Sequence, residues 1–296
     1  MSTTESQAPE LPSTVRAVVD GLAGLPQVRS VRIAGSRARG KPTSPDSDWD
    51  ILAYTEEALP TLGELHRLLP SGTEQAHPYP LHTANPGHPF QESEFTLPVS
   101  PRIDVCLRPF AHLQQEQQRA ALGTFTVHSY PKTAGGVPSY ILLSEAALSA
   151  PVHGDVGKPV CPDALVAAAG PWWRGRASCA LLLAIDHVAA GELLGALEHI
   201  LAAATSVAHS RLISGGSWYP ITKRLLDETG AIEDGVREHL AGLSASRLTA
   251  ATVRQVADGL GVDVDEGLDW LQRGEHMGPI RGDQGPVRVI SHQNER

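Results

Sequence analysis

The first third of the chain mixes short helical and strand patterns of apolar residues. Apolar positions three and four residues apart predict a helix over about 14–25. Alternating apolar and polar residues predict strands over 28–34, 48–54 and 102–107. Helices are also expected around 111–122 and 139–148, so the front of the chain combines both kinds of element.

The pattern changes after residue 155. From there the chain is rich in alanine and leucine, repeats with helical spacing and shows few strand signals. We expect helices at about 163–169, 174–190, 192–213, 218–228, 233–242 and 250–272.

This organisation predicts an α+β protein in which a mixed sheet flanked by helices is followed by an all-helical bundle. The expected domains are residues 1–155 and 156–273, with a loose tail over 274–296 that contains glycine, proline and charged residues.

The charge balance limits the partners. With 24 Lys and Arg against 33 Asp and Glu, the formal net charge is −9. Proteins that bind a nucleic-acid duplex or a transfer RNA neutralise phosphates with basic surfaces. Because this chain is acidic, no long nucleic acid is expected as a partner. A small anion held by a few cations, or a cationic substrate, remains compatible with this balance.

Cysteine usage and apolar content point to the cytoplasm. The three cysteines, Cys106, Cys161 and Cys179, have irregular spacing and form no CxxC pair, which predicts free thiols rather than disulfides or a zinc knuckle. The first twelve residues lack the features of a secretory signal. Charged and histidine residues interrupt the most apolar stretch, 177–204, so no membrane span is expected.

The segment 33–52 concentrates candidate chemistry. A predicted strand ends at Gly35-Ser36, where glycine allows close backbone approach and a following helix start offers amides and a hydroxyl to phosphate oxygens. Arg37, Arg39 and Lys41 add cations directly afterwards. These residues suit a phosphate ligand.

Two carboxylates follow at strand spacing. Asp48 and Asp50 project from the same face of the predicted strand, and they repel each other unless a cation lies between them. Mg²⁺ is the natural occupant because it prefers oxygen ligands. Asp104, on a separate strand, offers a third carboxylate and a bridge to a second ion. Two metals about 4 Å apart stabilise both the attacking and leaving oxygens of a phosphoryl transfer.

Together these residues resemble the signature of the DNA polymerase β-type nucleotidyltransferase superfamily. Its pattern of Gly-Ser, a spacer, Asp-x-Asp and a distal strand Asp is matched by Gly35-Ser36, Asp48-Trp49-Asp50 and Asp104. The helical second half is most similar to the small-molecule branch, which includes aminoglycoside and lincosamide nucleotidyltransferases. The resemblance covers roughly residues 28–110, and the segment 139–155 is similar to the usual close of that domain.

The resemblance implies specific roles. Asp48, Asp50 and Asp104 would be the catalytic carboxylates that hold Mg²⁺, in a site with two ions, and Gly35 and Ser36 would contact the nucleoside triphosphate. The chain departs from the family over 73–101, a stretch rich in proline and histidine that is longer than expected between the second and third carboxylates.

Further candidates lie outside this motif. In related two-domain enzymes a lysine from the helical domain reaches the triphosphate, and Lys223, near a predicted helix start, occupies a similar place. Trp218 is a weaker candidate for base stacking. The acceptor hydroxyl needs a base or metal activation, and Asp104, Glu145 and Glu198 all remain open for the role of base.

The resulting hypothesis is an enzyme with Mg²⁺ and ATP, or another NTP, as cofactor and co-substrate. It would transfer a nucleoside monophosphate to a hydroxyl of a small, aminoglycoside-like acceptor and release pyrophosphate, acting as a monomer or homodimer. One alternative acceptor is a protein side chain or a transfer RNA end, as in toxin–antitoxin nucleotidyltransferases. Another alternative is a non-catalytic nucleotide sensor on the same fold.

Overall fold

A computed structural model describes residues 10–40, 47–56, 59–67, 79–82, 94–97, 99–130, 133–218, 225–228 and 248–272. Its strands are β1 Val28–Ile33, β2 Trp49–Thr55, β3 Tyr79–His82, β4 Glu94–Leu97, β5 Ile103–Pro109, β6 Val127–Tyr130, β7 Thr133–Pro138 and β8 Ala150–His153. Its helices are α1 Ser13–Ala23, α2 Gly35–Ala38, α3 Leu62–His66, α4 Phe110–Ala121, α5 Ile141–Leu148, α6 Asp163–Ala190, α7 Leu193–Ser214, α8 Leu225–Glu228, α9 Ala250–Leu260 and α10 Glu266–Gln272.

Six strands form one mixed sheet in the order β3-β4-β5-β2-β1-β8, and β6 and β7 form a separate hairpin. Strands β2 and β5 at its centre run parallel, while the other neighbouring pairs in the sheet are antiparallel. The predicted α+β class, with a mixed sheet ahead of a helical region, is therefore confirmed.

The two faces of the sheet bury different elements, because alternate strand residues point to opposite sides. Ile51 and Ala53 of β2 pack with residues of α1 and α3. Leu52 and Tyr54 point the other way and join a cluster with residues of α4, α5 and α6. The second face of the sheet is thus the one that carries the helical half of the chain.

The helical region has its own core between α6, α7 and α9, built largely from alanine, valine and leucine. The separate cluster between the sheet and α4, α5 and α6 contains Leu52 and Tyr54 from the sheet together with Trp172, Trp173 and Trp270 from α6 and α10. The sheet and the helices therefore share apolar packing across the proposed boundary near residue 155. The division into 1–155 and 156–273 stays a prediction, and the tail 274–296 lies outside the described residues.

Two expected helix boundaries were wrong. The chain does not break between 169 and 174: α6 continues through Pro171, and Trp172 and Trp173 after it are buried. The expected helix 250–272 is instead two helices. Gly261 ends α9 with φ +68°, a left-handed conformation that glycine adopts without steric cost. The expected helix 233–242 lies outside the described residues.

All three cysteines are free, as the sequence predicts. Burial raises the pKa of the Cys161 and Cys179 thiols, which suits unreactive packing groups. Among the described residues, no helix has the length and apolar character needed to cross a membrane.

Candidate functional site

Gly35 and Asp50 meet at the end of β1. Gly35 begins α2 with φ +64°, and a Cβ at this position would come within 2.8 Å of Asp50 Cγ and closer still to Oδ2. The neighbouring backbone is joined directly, since the Ala34 amide donates to the Asp50 carbonyl over 2.8 Å. Only glycine provides both the backbone conformation and the space for this carboxylate.

Asp50 and Asp104 lie side by side. They are partners in the parallel register of β2 and β5, and adjacent strands are about 4.8 Å apart. Residues two apart on a strand share a face, so Asp50 lies on the face of Leu52 and Asp104 on the face of Cys106. Leu52 and Cys106 both pack in the cluster with α4, α5 and α6. Two carboxylates of the predicted set are therefore neighbours, on the face of the sheet that packs against α4, α5 and α6.

Asp48 lies one residue before β2 and is partly buried. Within the described residues, no group of three His, Cys, Asp or Glu side chains is close enough to hold a metal ion. Asp50 and Asp104 are thus brought together by the sheet, whereas the three carboxylates do not form a ready metal cluster. The assignment of Asp48, Asp50 and Asp104 as metal ligands stays a prediction.

Arg37 holds the chain just ahead of β2. Its Nε donates to the carbonyl oxygens of Ser47 and Asp48 over 3.1 and 3.3 Å, and its guanidinium lies 4.5 Å from the centre of the Trp49 ring. These contacts fix the approach to Asp48 and Asp50. The sequence suggests Arg37 as a nucleotide contact, and the structure adds this second task.

The other residues predicted to contact the nucleotide lie in or next to α2, or outside the described residues. Ser36 lies in α2 and Arg39 follows it, both partly buried. Lys41 and Lys223 lie outside the described residues. The nucleotide roles of Gly35, Ser36, Arg37, Arg39 and Lys223 remain predictions.

Asp104 is held by two residues that the sequence analysis did not single out. Thr96 Oγ1 donates to Oδ1 over 2.7 Å. Arg102 donates from Nε to Oδ1 over 3.1 Å and from Nη2 to Oδ2 over 2.7 Å. Asp104 is 8% exposed, so these donors compensate the burial of its charge. Arg102 stands two residues from Asp104 on the sequence, and this strand spacing was an available signal.

Two candidates for the base lie elsewhere. Glu145 forms a bidentate ion pair with Arg108, at 3.1 Å from Nε and 3.2 Å from Nη2. Arg108 is four residues along β5 from Asp104, a distance of roughly 13 Å. Glu198 is an exposed residue of α7. Of the three carboxylates that remained open, only Asp104 is a neighbour of Asp50.

The Glu145–Arg108 pair belongs to a buried polar layer behind the carboxylates. Tyr54 faces Arg108 in the strand register, and burial, followed by the charge of Glu145, raises the pKa of its phenol. Arg32 of β1 donates from Nε to Ser149 Oγ over 2.7 Å, and burial lowers its pKa. These contacts join the sheet to α5 and its C-terminal end.

Aromatic residues connect the helices to the sheet region. The Trp173 indole donates to Tyr140 Oη over 2.8 Å, and the Trp218 indole donates to the Pro159 carbonyl over 2.8 Å. Trp218 also packs against the apolar cluster that contains Tyr140 and Trp173. These contacts give Trp218 a structural role, since they fix its side chain against the Pro159 backbone and the apolar cluster. Its suggested role in base stacking stays a prediction.

Histidine contacts cross between the two longest helices. His209 of α7 stacks on Trp173 of α6 with ring centres 4.2 Å apart, and burial, with a smaller contribution from Arg176, lowers its pKa to about 3. His187 stacks on His199 at 5.0 Å. The sequence spacing of the histidines, 12 and 10 residues, does not reveal these pairs because each joins different helices.

Comparison with known proteins finds similar solved structures but no sequence family. No family model matches the chain, and no curated protein matches it. A nucleotidyltransferase-like protein from Exiguobacterium sibiricum matches with a TM-score of 0.38 and 8% identity, over 89% of this chain and 79% of that one. An aminoglycoside 6-adenyltransferase from Bacillus subtilis matches with a TM-score of 0.23 and 10% identity, over 90% and 99%.

Proposed function

We propose that this protein is a Mg²⁺-dependent nucleotidyltransferase that transfers the AMP part of ATP, or another nucleoside monophosphate, to a hydroxyl of a small acceptor. The front domain, 1–155, would bind the nucleotide and metal, and the helical domain, 156–273, would close the acceptor pocket. The proposal joins the Gly-Ser and Asp-x-Asp motif to the arrangement of its residues in the sheet.

The observation that carries the proposal is the packing of Gly35 against the Asp50 carboxylate, with Asp104 next to Asp50 in the parallel register. A Cβ at residue 35 would overlap the Asp50 carboxylate. The start of α2 therefore lies directly against one acidic group, with a second on the neighbouring strand, which suits a triphosphate bound together with its cation.

The donor chemistry fits Mg²⁺. Asp50 and Asp104 offer carboxylate oxygens on one face of the sheet, and Asp48 lies two residues before Asp50. When bound, the ions would neutralise phosphate charge and stabilise the attacking and leaving oxygens. Arg37 keeps the Asp48 backbone in place through its hydrogen bonds to the Ser47 and Asp48 carbonyls.

The transfer needs only the acceptor and the nucleoside triphosphate as reactants. The acceptor oxygen forms a bond to the α-phosphorus, and the bond between that phosphorus and the bridging oxygen to the β-phosphate breaks. Pyrophosphate leaves with the bond electrons. The hydroxyl proton passes to Asp104, the one candidate base that neighbours Asp50. Positioning and charge neutralisation supply most of the rate enhancement in such transfers.

The orientation of the carboxylates supports an acceptor bound between the sheet and the helices. Asp50 and Asp104 share their sheet face with the residues that pack on α4, α5 and α6. The formal charge of −9 favours a cationic acceptor over an anionic polymer. An aminoglycoside-like polyamine with free hydroxyls meets both conditions.

Mass spectrometry of acceptors tests the proposal. Purified protein is incubated with Mg²⁺, each of the four NTPs and a panel of aminoglycosides, lincosamides, neutral polyols, transfer RNA and protein targets. Addition of one nucleoside monophosphate to a small acceptor, with release of pyrophosphate, is expected. Modification of transfer RNA or protein alone would favour the alternative acceptor class.

A melting experiment separates the enzyme from a nucleotide sensor. A ligand that binds only the native state raises the melting temperature by mass action. The sensor predicts a shift with Mg²⁺ and NTP but no modified product from any acceptor. No shift and no product would contradict both functions.

A further inference from the structure

We infer that Thr96 is a positioning residue for Asp104 and determines which carboxylate oxygen remains for a metal ion. This inference rests on the proposed function, because it assumes that Asp104 is a metal ligand. Thr96 lies directly opposite Asp104 in the antiparallel register of β4 and β5. Its hydroxyl donates to Oδ1 over 2.7 Å, and the residue is 1% exposed.

The donors are divided unequally between the two oxygens of Asp104. Oδ1 accepts from Thr96 Oγ1 and from Arg102 Nε, whereas Oδ2 accepts only from Arg102 Nη2 among the described residues. A carboxylate oxygen has about two lone-pair sites. Oδ1 is therefore fully used, and Oδ2 keeps one site for another ligand.

The two donor residues also differ in how easily they can be replaced. The Arg102 side chain is 51% exposed and is long and flexible, so an approaching cation can displace it into water. Thr96 is buried, and its β-branched side chain has few rotamers. Thr96 therefore keeps Oδ1 in place when a cation displaces the Arg102 side chain, and Oδ2 is the oxygen that binds the ion.

Thr55 provides a matched control in the same sheet. It is 0% exposed, and its hydroxyl is buried with no hydrogen-bond partner in the part of the chain that the structure describes. Thr55→Val and Thr96→Val make the same chemical change at equally buried strand positions. Only the second change removes a hydrogen bond to a predicted metal ligand.

The test measures Mn²⁺ binding to the full chain by electron paramagnetic resonance, which requires no turnover, since Mn²⁺ takes the same oxygen ligands as Mg²⁺. Loss of a partner that orients a metal ligand typically weakens metal affinity 10–100-fold, so Thr96→Val is expected to bind Mn²⁺ about 10-fold more weakly. Thr96→Ser should restore binding to within about twofold, since it restores the donor. Thr55→Val should bind as the parent does.

The outcomes separate the inference from the proposed function. If Asp104→Asn weakens Mn²⁺ binding but Thr96→Val does not, the inference is overturned and the metal assignment stands. Equal weakening by Thr55→Val also overturns the inference. If Asp104→Asn binds Mn²⁺ as the parent does, the assignment of Asp104 as ligand is wrong, and the inference is wrong with it. Should Thr96→Val not fold, Thr96→Ala removes the same hydroxyl and carries the same expectation.

Discussion

Arg102, just ahead of β5, forms a bidentate ion pair with Asp104 two residues further along the chain, with Nη2 2.7 Å from Oδ2 and Nε 3.1 Å from Oδ1. The guanidinium therefore lies on the carboxylate that the sequence assigns to metal binding. A cation arriving at Asp104 must compete with Arg102 for the same oxygen atoms.

Replacing Arg102 is expected to strengthen metal binding. Arg102→Gln removes a competing charge. The Arg102 side chain is 51% exposed, and since an ion pair that reaches the solvent is worth up to about 1 kcal/mol, the half-saturating Mn²⁺ concentration should fall by up to about fivefold. Titration of Mn²⁺ by electron paramagnetic resonance measures this. Arg16→Gln, at an exposed position of α1, is the control. Weaker binding in Arg102→Gln would mean that Arg102 supports the metal rather than competing with it.

The contact between Gly35 and Asp50 predicts a difference between two glycine variants. Gly35 and Gly40 have φ +64° and +65°, but a Cβ at Gly40 would meet none of the described residues within 4 Å. Both Gly→Ala changes carry the left-handed backbone cost of about 1–2 kcal/mol. Gly35→Ala must in addition displace the Asp50 carboxylate, so it should abolish nucleotide transfer.

Urea unfolding and product formation for both glycine variants measure the two effects. Gly40→Ala is expected to lose stability and keep its activity when folded. Equal activity in the two variants would show that the position of the Asp50 carboxylate does not matter.

Glu145 should behave as a structural residue. Arg108 is 2% exposed, and removing one partner of a buried ion pair costs about 3–5 kcal/mol. Glu145→Gln is therefore expected to lower the free energy of unfolding while the folded fraction keeps its kcat. Denaturant melts and single-turnover rates check both. A normal melt with a large loss of kcat would instead identify Glu145 as the base.

His209 should make stability depend on pH. Its native pKa is about 3, against an ordinary value of 6.5, because burial disfavours the charged ring. The unfolded chain binds a proton below pH 6.5 that the native state does not, so stability is lost as pH falls from 6.5 towards 3, by about 1.4 kcal/mol per pH unit.

A His209→Gln variant provides the comparison, because it removes the titrating group. Urea midpoints at pH 7, 6 and 5 should fall less steeply for the variant than for the parent. Parallel curves would show that His209 does not titrate as its burial requires. The comparison uses the slopes, so a constant packing cost of the substitution does not affect it.

The sequence could predict the acidic pair because strand periodicity is local. Asp50 and Asp104 each lie in an apolar strand of clear alternation, and their pairing follows once the two strands are neighbours. Thr96 could not be found in this way. Its strand, Glu94–Leu97, has four residues within the proline-rich stretch 73–101, where no period is visible.

The helical region shows how tertiary packing overrides local signals. Gly170-Pro171 predicts a break, yet α6 continues through it with Trp172 and Trp173 buried on the far side. The His209–Trp173 stack joins two helices, so no spacing within one helix announces it. Such contacts depend on which helices become neighbours, and a local pattern does not carry that information.

The fate of labelled phosphorus tests the central claim most directly. ATP labelled at the α- or the γ-phosphate is incubated with Mg²⁺ and an acceptor, using the parent protein, Asp50→Asn and the exposed control Asp186→Asn. The α-label is expected on the acceptor and the γ-label in pyrophosphate, for the parent and the control but not for Asp50→Asn. Transfer of the γ-label to the acceptor, or undiminished transfer by folded Asp50→Asn, would contradict the account.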